Sequence, residues 1–137
     1  MAGDNINDVV YGEDEELVSQ FLTWTEDAIK ELRALVSEMP DEITRGEDTV
    51  HRIYDLAHNI KGMGASFGFD LLTAISLSLC GYLKGMDDAV LLRRRVFESH
   101  IRGFEVVMQH RIKGPGGEQG VALTNRLKDI IREEETS

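Results

Sequence analysis

One cysteine, two prolines and no long apolar run are what this chain of 137 residues has least of. The single thiol, Cys80, cannot close an internal disulfide, which fits a reducing compartment. With only Pro40 and Pro115 to interrupt them, long helices have room. No stretch approaches the roughly 18 consecutive apolar residues of a membrane span. The acidic start, MAGDNINDVVYGEDEE, has no basic region followed by an apolar one, so no secretory signal is expected. Positive charge is also scarce: 15 Lys and Arg face 25 Asp and Glu, for a formal charge of −10. The basic footprint of a nucleic-acid binder is missing. These absences lead us to expect a cytoplasmic protein with no nucleic-acid and no membrane partner. Neither an internal repeat nor a low-complexity tract divides the chain, and its length suits one domain around one core.

What is present is helical periodicity. From Asp14 to Met39, apolar residues recur at three- and four-residue steps through Leu17, Phe21, Trp24, Ala28, Leu32 and Leu35. Pro40 ends that segment. A second helix is expected from about Glu47 to Phe67, with Val50, Ile53, Ala57, Ile60, Gly64 and Phe67 as its seam and Gly68 as its stop. Asp70 is expected to cap a third, striped by Leu72, Ile75, Leu79 and Tyr82 or Leu83 and closed by Gly85. The fourth should start near Asp87 or Asp88, turning Val90, Leu91, Phe97, Ile101, Phe104 and Met108 inward, up to about Ile112. KGPGGEQG reads as a connector, followed by a last helix at about 119–134. Sustained two-residue alternation is absent, so no sheet is expected. The fold class is all-α: an antiparallel up-and-down four-helix bundle over about 14–112 within a single domain, with a short N-terminal helix around Ile6, Val9 and Val10 and an additional C-terminal helix.

The second helix carries an odd stretch, AHNIKGMGASFG, with three glycines in twelve residues. Each interior glycine costs a helix roughly 1 kcal/mol against alanine. His58 lies one position past the seam residue Ala57, so it is expected at the border of the core or outside it. Lys61, Gly62 and Ala65 follow at i+3, i+4 and i+7 and share its face. An imidazole is nucleophilic near neutral pH. A phosphoryl group on it would carry negative charge that an ammonium one turn away could stabilise. Small residues at 62 and 65 would let a partner approach closely.

The stretch AHNIKGMGASFGF resembles the signature of histidine-containing phosphotransfer (HPt) domains, His-x-x-Lys-Gly followed by small residues and glycine. The resemblance runs over about residues 14–110 in length, helix order and motif placement. It implies His58 as phosphoacceptor, Lys61 as phosphate partner, Gly62 as the residue that opens the face and Gly68 as the end of the helix. It implies a four-helix bundle that takes phosphoryl groups from the aspartate of one receiver domain and gives them to another, a stoichiometric carrier more than an enzyme. Response-regulator receivers and a (hybrid) histidine kinase would be the partners. No cofactor or metal is expected here, since the Mg²⁺ that assists such transfer belongs to the receiver. There is one departure. Chemotaxis-type kinases supply a His and a Glu from the third helix, and other HPt proteins often a Gln or Glu near the second position. Here the residues 19 and 22 positions after His58 are Leu77 and Cys80.

Docking contacts are expected from Asp55, Asn59, Met63, Ser66 and Ala65 around the histidine, and from Ile6 and Val10 leaning on that region. His51, His100 and His110 are read as surface residues, Arg93–Arg95 as a solvated face and Cys80 as a small core residue. His51 and His58 are seven apart on one face, but two ligands do not make a metal site. Two other classes compete. One is a receiver-binding scaffold or phosphate sink without onward relay, which would not need His58, Lys61 and Gly62 together. The other is a kinase-derived phosphoacceptor domain, in which an acidic residue usually follows the histidine; here Asn59 does. A monomer is expected.

Overall fold

A computed structural model describes residues 14–136. The described residues form five α-helices and a short two-stranded ribbon. Helix α1 (Glu15–Glu38) begins where the Asp14 carboxylate accepts the N–H groups of Glu16 and Leu17 at 3.0 and 3.1 Å. That satisfies donors which a helix start leaves unpaired. Met39, held extended before Pro40, ends it. Phe21, Ala28, Leu32 and Met39 are buried as their spacing demands, Trp24 and Leu35 are half-buried, and Leu17 is exposed.

Helix α2 (Asp48–Gly64) runs into a single 3₁₀ turn, Ala65–Phe67, and stops at Gly68, whose φ of +84° is a left-handed conformation suited to glycine. Every seam residue from Val50 to Phe67 is buried. Helix α3 (Asp70–Leu83) follows at once. Asp70 is its first residue and not its cap; Phe69 occupies the cap position and offers no side-chain bond.

The connection into the fourth helix corrects the sequence reading. Helix α4 spans Arg94–His110, several residues later than Asp87 or Asp88. Before it, strand β2 (Leu91–Arg93) pairs antiparallel with β1 (Glu42–Thr44), in the register Glu42↔Arg93, Ile43↔Leu92 and Thr44↔Leu91. A sheet therefore exists, though each strand is three residues long. Only Ile43 and Leu92 point inward, too short an alternation to register as a pattern. Leu91 is 53% exposed and Val90 37%, so neither is the inward residue expected of it. The reason lies in the backbone. The N–H groups of Arg45, Gly46 and Arg94 reach the carbonyls of Val90, Asp88 and Asp41 at 2.9, 3.0 and 2.9 Å. The Asp87 carboxylate takes the Ala89 N–H at 3.0 Å, a local bond that competes with a helical start.

Helix α5 (Gly117–Thr136) extends slightly past both expected ends and packs on α3 and α4 through Leu127 and Ile130. Around the core, α1 touches α2 and α4, and α3 touches the same two, so the four helices close a ring. Its interior holds Leu32, Ile53, Ile60, Leu72, Ile75, Leu79, Phe97, Ile101 and Phe104. At one end Phe21 stacks on Phe67, with ring centroids 4.3 Å apart, and on Phe69 at 5.9 Å. Lys113 lies over the Phe69 ring at 4.2 Å. The glycine-rich connector docks there too: Gly114 N–H donates to the Gly68 carbonyl at 2.6 Å and Leu71 N–H to the Gly114 carbonyl at 3.1 Å.

The arginines read as a solvated face are individually engaged. Arg93 pairs with Glu42 across the ribbon, Arg94 with Glu98, and Arg95 with Glu133 of α5. His100 is fully buried, which corrects its assignment to the surface. Its Nε2 lies 2.8 Å from the Ser78 hydroxyl and its Nδ1 2.7 Å from the Val96 carbonyl. Cys80 is a buried core residue.

Candidate functional site

The odd glycines of α2 separate by face. Gly64 points into α3: a Cβ there would stand 2.7 Å from Thr73 Oγ1 and 3.0 Å from the Phe69 carbonyl oxygen. Gly62 points the other way, and a Cβ would meet nothing within 4 Å. The first glycine allows two helices to touch. The second leaves open space on the face that His58 shares.

His58 is exposed, one position past the fully buried Ala57. Asp55, Asn59, Ala65 and Ser66 are exposed around it, while Lys61 and Met63 are half-buried. Met63 packs against the core, so it is partly a packing residue. The aliphatic stem of a half-buried lysine can lie on apolar surface while its ammonium stays in water. Ile6 and Val10, with Val9, lie outside the described residues.

Two residues that the sequence reading passed over shape this region. Tyr54, one turn before His58, stacks on the imidazole with centroids 5.8 Å apart and planes 15° from parallel. The i,i+4 spacing was the available signal. Thr73 is the other. Its Oγ1 accepts the Ala65 N–H at 2.9 Å and donates to the Lys61 carbonyl at 3.1 Å. One hydroxyl thus completes the last turn of α2, from a neighbouring helix that local spacing could not reveal.

On α3, Leu77 is 61% exposed and offers no polar atom. Burial pushes the Cys80 thiol up, with the Lys61 charge pulling modestly the other way. That thiol stays protonated near neutral pH and is a weak acceptor. The Tyr54 ring lies against the His58 imidazole.

The arrangement can present a ring nitrogen to an electrophile on a partner surface, with a cation on the same helix face and little side-chain bulk in the next turn. Among the described residues, no helix is long and apolar enough to cross a membrane. No curated protein and no solved structure matches the chain. The Hpt domain family matches over residues 16–105, from the start of α1 into α4 and across the whole His58 stretch. That span covers well over half of the sequence, and the chain belongs to the Hpt domain family, whose members carry phosphoryl groups in two-component signalling and interact with receiver domains and histidine kinases.

Proposed function

We propose that this chain is a phosphorelay carrier in which His58 takes a phosphoryl group from the aspartate of one receiver domain and gives it to the aspartate of another. We read its frame as an antiparallel up-and-down four-helix bundle, α1 to α4, with α5 added on the side of α3 and α4. The observation that carries the reading is the exposed His58 beside the open face of Gly62, in a chain of the Hpt domain family.

The chemistry follows from the groups present. The lone pair of one ring nitrogen attacks phosphorus of the receiver's aspartyl phosphate. A P–N bond forms as the P–O bond breaks, and the carboxylate leaves with the electron pair. The other ring nitrogen keeps its proton, so the product is an imidazolium until that proton passes to water. Lys61 offsets the charge of the transferred group. The reverse sequence, on a second receiver, regenerates His58. The divalent cation of the transfer belongs to the receiver, and this chain needs no cofactor of its own. Asp55, Asn59, Gly62 and Ala65 form the docking surface around the nucleophile, with Ile6 and Val10 contributing from the N-terminal segment. The carrier works as a monomer in the cytoplasm.

Incubation with a phosphorylated cognate receiver should place label on this protein in acid-labile, alkali-stable form. His58→Gln should abolish the label, and label that survives the substitution sinks the assignment. Lys61→Ala should slow transfer while the helical signal stays intact.

A further inference from the structure

A nucleophilic side chain must hold its reacting lone pair in line with the electrophile, and freedom to turn away lowers the rate in proportion. A histidine is usually held by a hydrogen bond from one ring nitrogen to a carboxylate or carbonyl. The side chains that α3 places at the two relevant positions do not provide one. Leu77 is apolar and turned to solvent, and Cys80 is a buried thiol kept protonated.

A different restraint is present. Tyr54 and His58 stand one helical turn apart on α2, with centroids 5.8 Å apart and planes at 15°. This is an offset, nearly parallel stack, a favoured arrangement for aromatic rings. The two partners differ in anchorage. Tyr54 is half-buried and packs against the hydrophobic core, whereas His58 is exposed. The tyrosine ring is therefore the fixed plate and the imidazole the part that settles on it. A stack of this kind shifts a rotamer equilibrium by about two- to tenfold.

We propose that Tyr54 is the positioning residue of the His58 reaction, its ring face setting the plane of the imidazole in place of a hydrogen-bond acceptor. The proposal rests on the reading of His58 as phosphoacceptor. Three properties follow. The tyrosine hydroxyl has no part in it, since the contact is between the two rings. The stack does not distinguish which ring nitrogen carries the proton, so the tautomer is left to solvent and to the arriving receiver. Once phosphorylated, the ring is transiently cationic, and a cation over an aromatic face is favoured. The same plate then holds the product as it held the nucleophile.

The test uses the full chain and single-turnover transfer from a phosphorylated receiver, followed as a function of receiver concentration. Tyr54→Leu should lower the saturating rate about three- to tenfold and leave the half-saturating concentration unchanged. Tyr54→Phe should keep the wild-type rate. A wild-type rate in Tyr54→Leu overturns the proposal. So does a Tyr54→Phe rate as low as that of the leucine variant, which would give the role to the hydroxyl. A change confined to the half-saturating concentration overturns it too, by making Tyr54 a docking residue. In the unsubstituted protein, nuclear Overhauser contacts between the two rings and a single His58 side-chain rotamer are expected, a measurement that needs no variant to fold. Free averaging of that side chain is the contrary result. If His58→Gln still takes label, the underlying assignment has failed; if it takes none and Tyr54→Leu transfers normally, only the role of Tyr54 has.

Discussion

Thr73 is tied by two hydrogen bonds and His100 is bonded at both ring nitrogens, with opposite consequences. Thr73→Val keeps the shape of the side chain and loses both bonds at the end of α2, to Ala65 N–H and to the Lys61 carbonyl. A loss of about 1–3 kcal/mol in urea unfolding is expected, mostly restored in Thr73→Ser. An unchanged midpoint would contradict the role given to the hydroxyl. The Val96 carbonyl can only accept, so His100 Nδ1 carries the proton and Nε2 accepts from the Ser78 hydroxyl. Burial lowers the His100 pKa to about 4, against a smaller upward pull from the Val96 carbonyl. The unfolded chain, titrating near 6.5, binds a proton between these values that the folded chain refuses. Stability is therefore full above pH 6.5 and falls as the pH drops toward 4, by on the order of 3 kcal/mol. The carboxylates of Glu31, Glu105 and Glu133, lowered by bonds from Arg52, Arg33 and Arg95, lose their contribution only in more acid solution. Urea midpoints at pH 7.5 and pH 5 should then differ in the native protein and converge in His100→Leu. His100 was misread because its side chain is polar. Its place three residues after Phe97 and four before Phe104 marked the buried face, but the Ser78 hydroxyl that makes burial tolerable sits on another helix.

Helix α2 shows how far periodicity reaches. Its seam, its stop at Gly68 and the outward place of His58 were all legible, because a step pattern fixes which face turns inward. The two interior glycines could be divided on the same ground, and they predict opposite outcomes. Gly62→Ala adds a methyl group where nothing lies within 4 Å, so stability should rise by up to about 1 kcal/mol while transfer from the receiver slows. Gly64→Ala places one against Thr73 and the Phe69 carbonyl, and backbone cannot swing aside. A loss of about 1–3 kcal/mol is expected. Paired thermal melts and transfer assays on the two variants check both, and equal effects would dissolve the distinction. The start of α4 was illegible for a physical reason. Val90, Leu91 and Leu92 follow Asp88 as an apolar run that continues the helical pattern of Phe97 and Ile101. Only pairing with Glu42–Thr44, distant in sequence, makes part of that run a strand.

Across the whole molecule, several arginines of this acidic chain hold elements together, while others, such as Arg102 and Arg126, pair within one helix. Arg33 grips Glu105 between α1 and α4, Arg52 grips Glu31 between α2 and α1, and Arg111 reaches Glu26 from the end of α4. Composition foretold the acidity, but not which faces the pairs would join, since each depends on packing already formed. The exposed pairs contribute little each, on the order of 0–1 kcal/mol. The ribbon has a consequence of another kind, in the order of assembly. Helix turns close between near neighbours, whereas Glu42 and Arg93 are 51 positions apart. Contacts at such separation form after local ones, because the chain between them must first be ordered. The strands should therefore join once α2 and α3 are in place. Ile43→Ala or Leu92→Ala should then hasten unfolding and hardly slow refolding in stopped-flow measurements. A strong slowing of refolding would instead make the ribbon part of the nucleus. On this account the short ribbon works as a latch, closed last, that governs how long the assembled carrier lasts and not how quickly it is made.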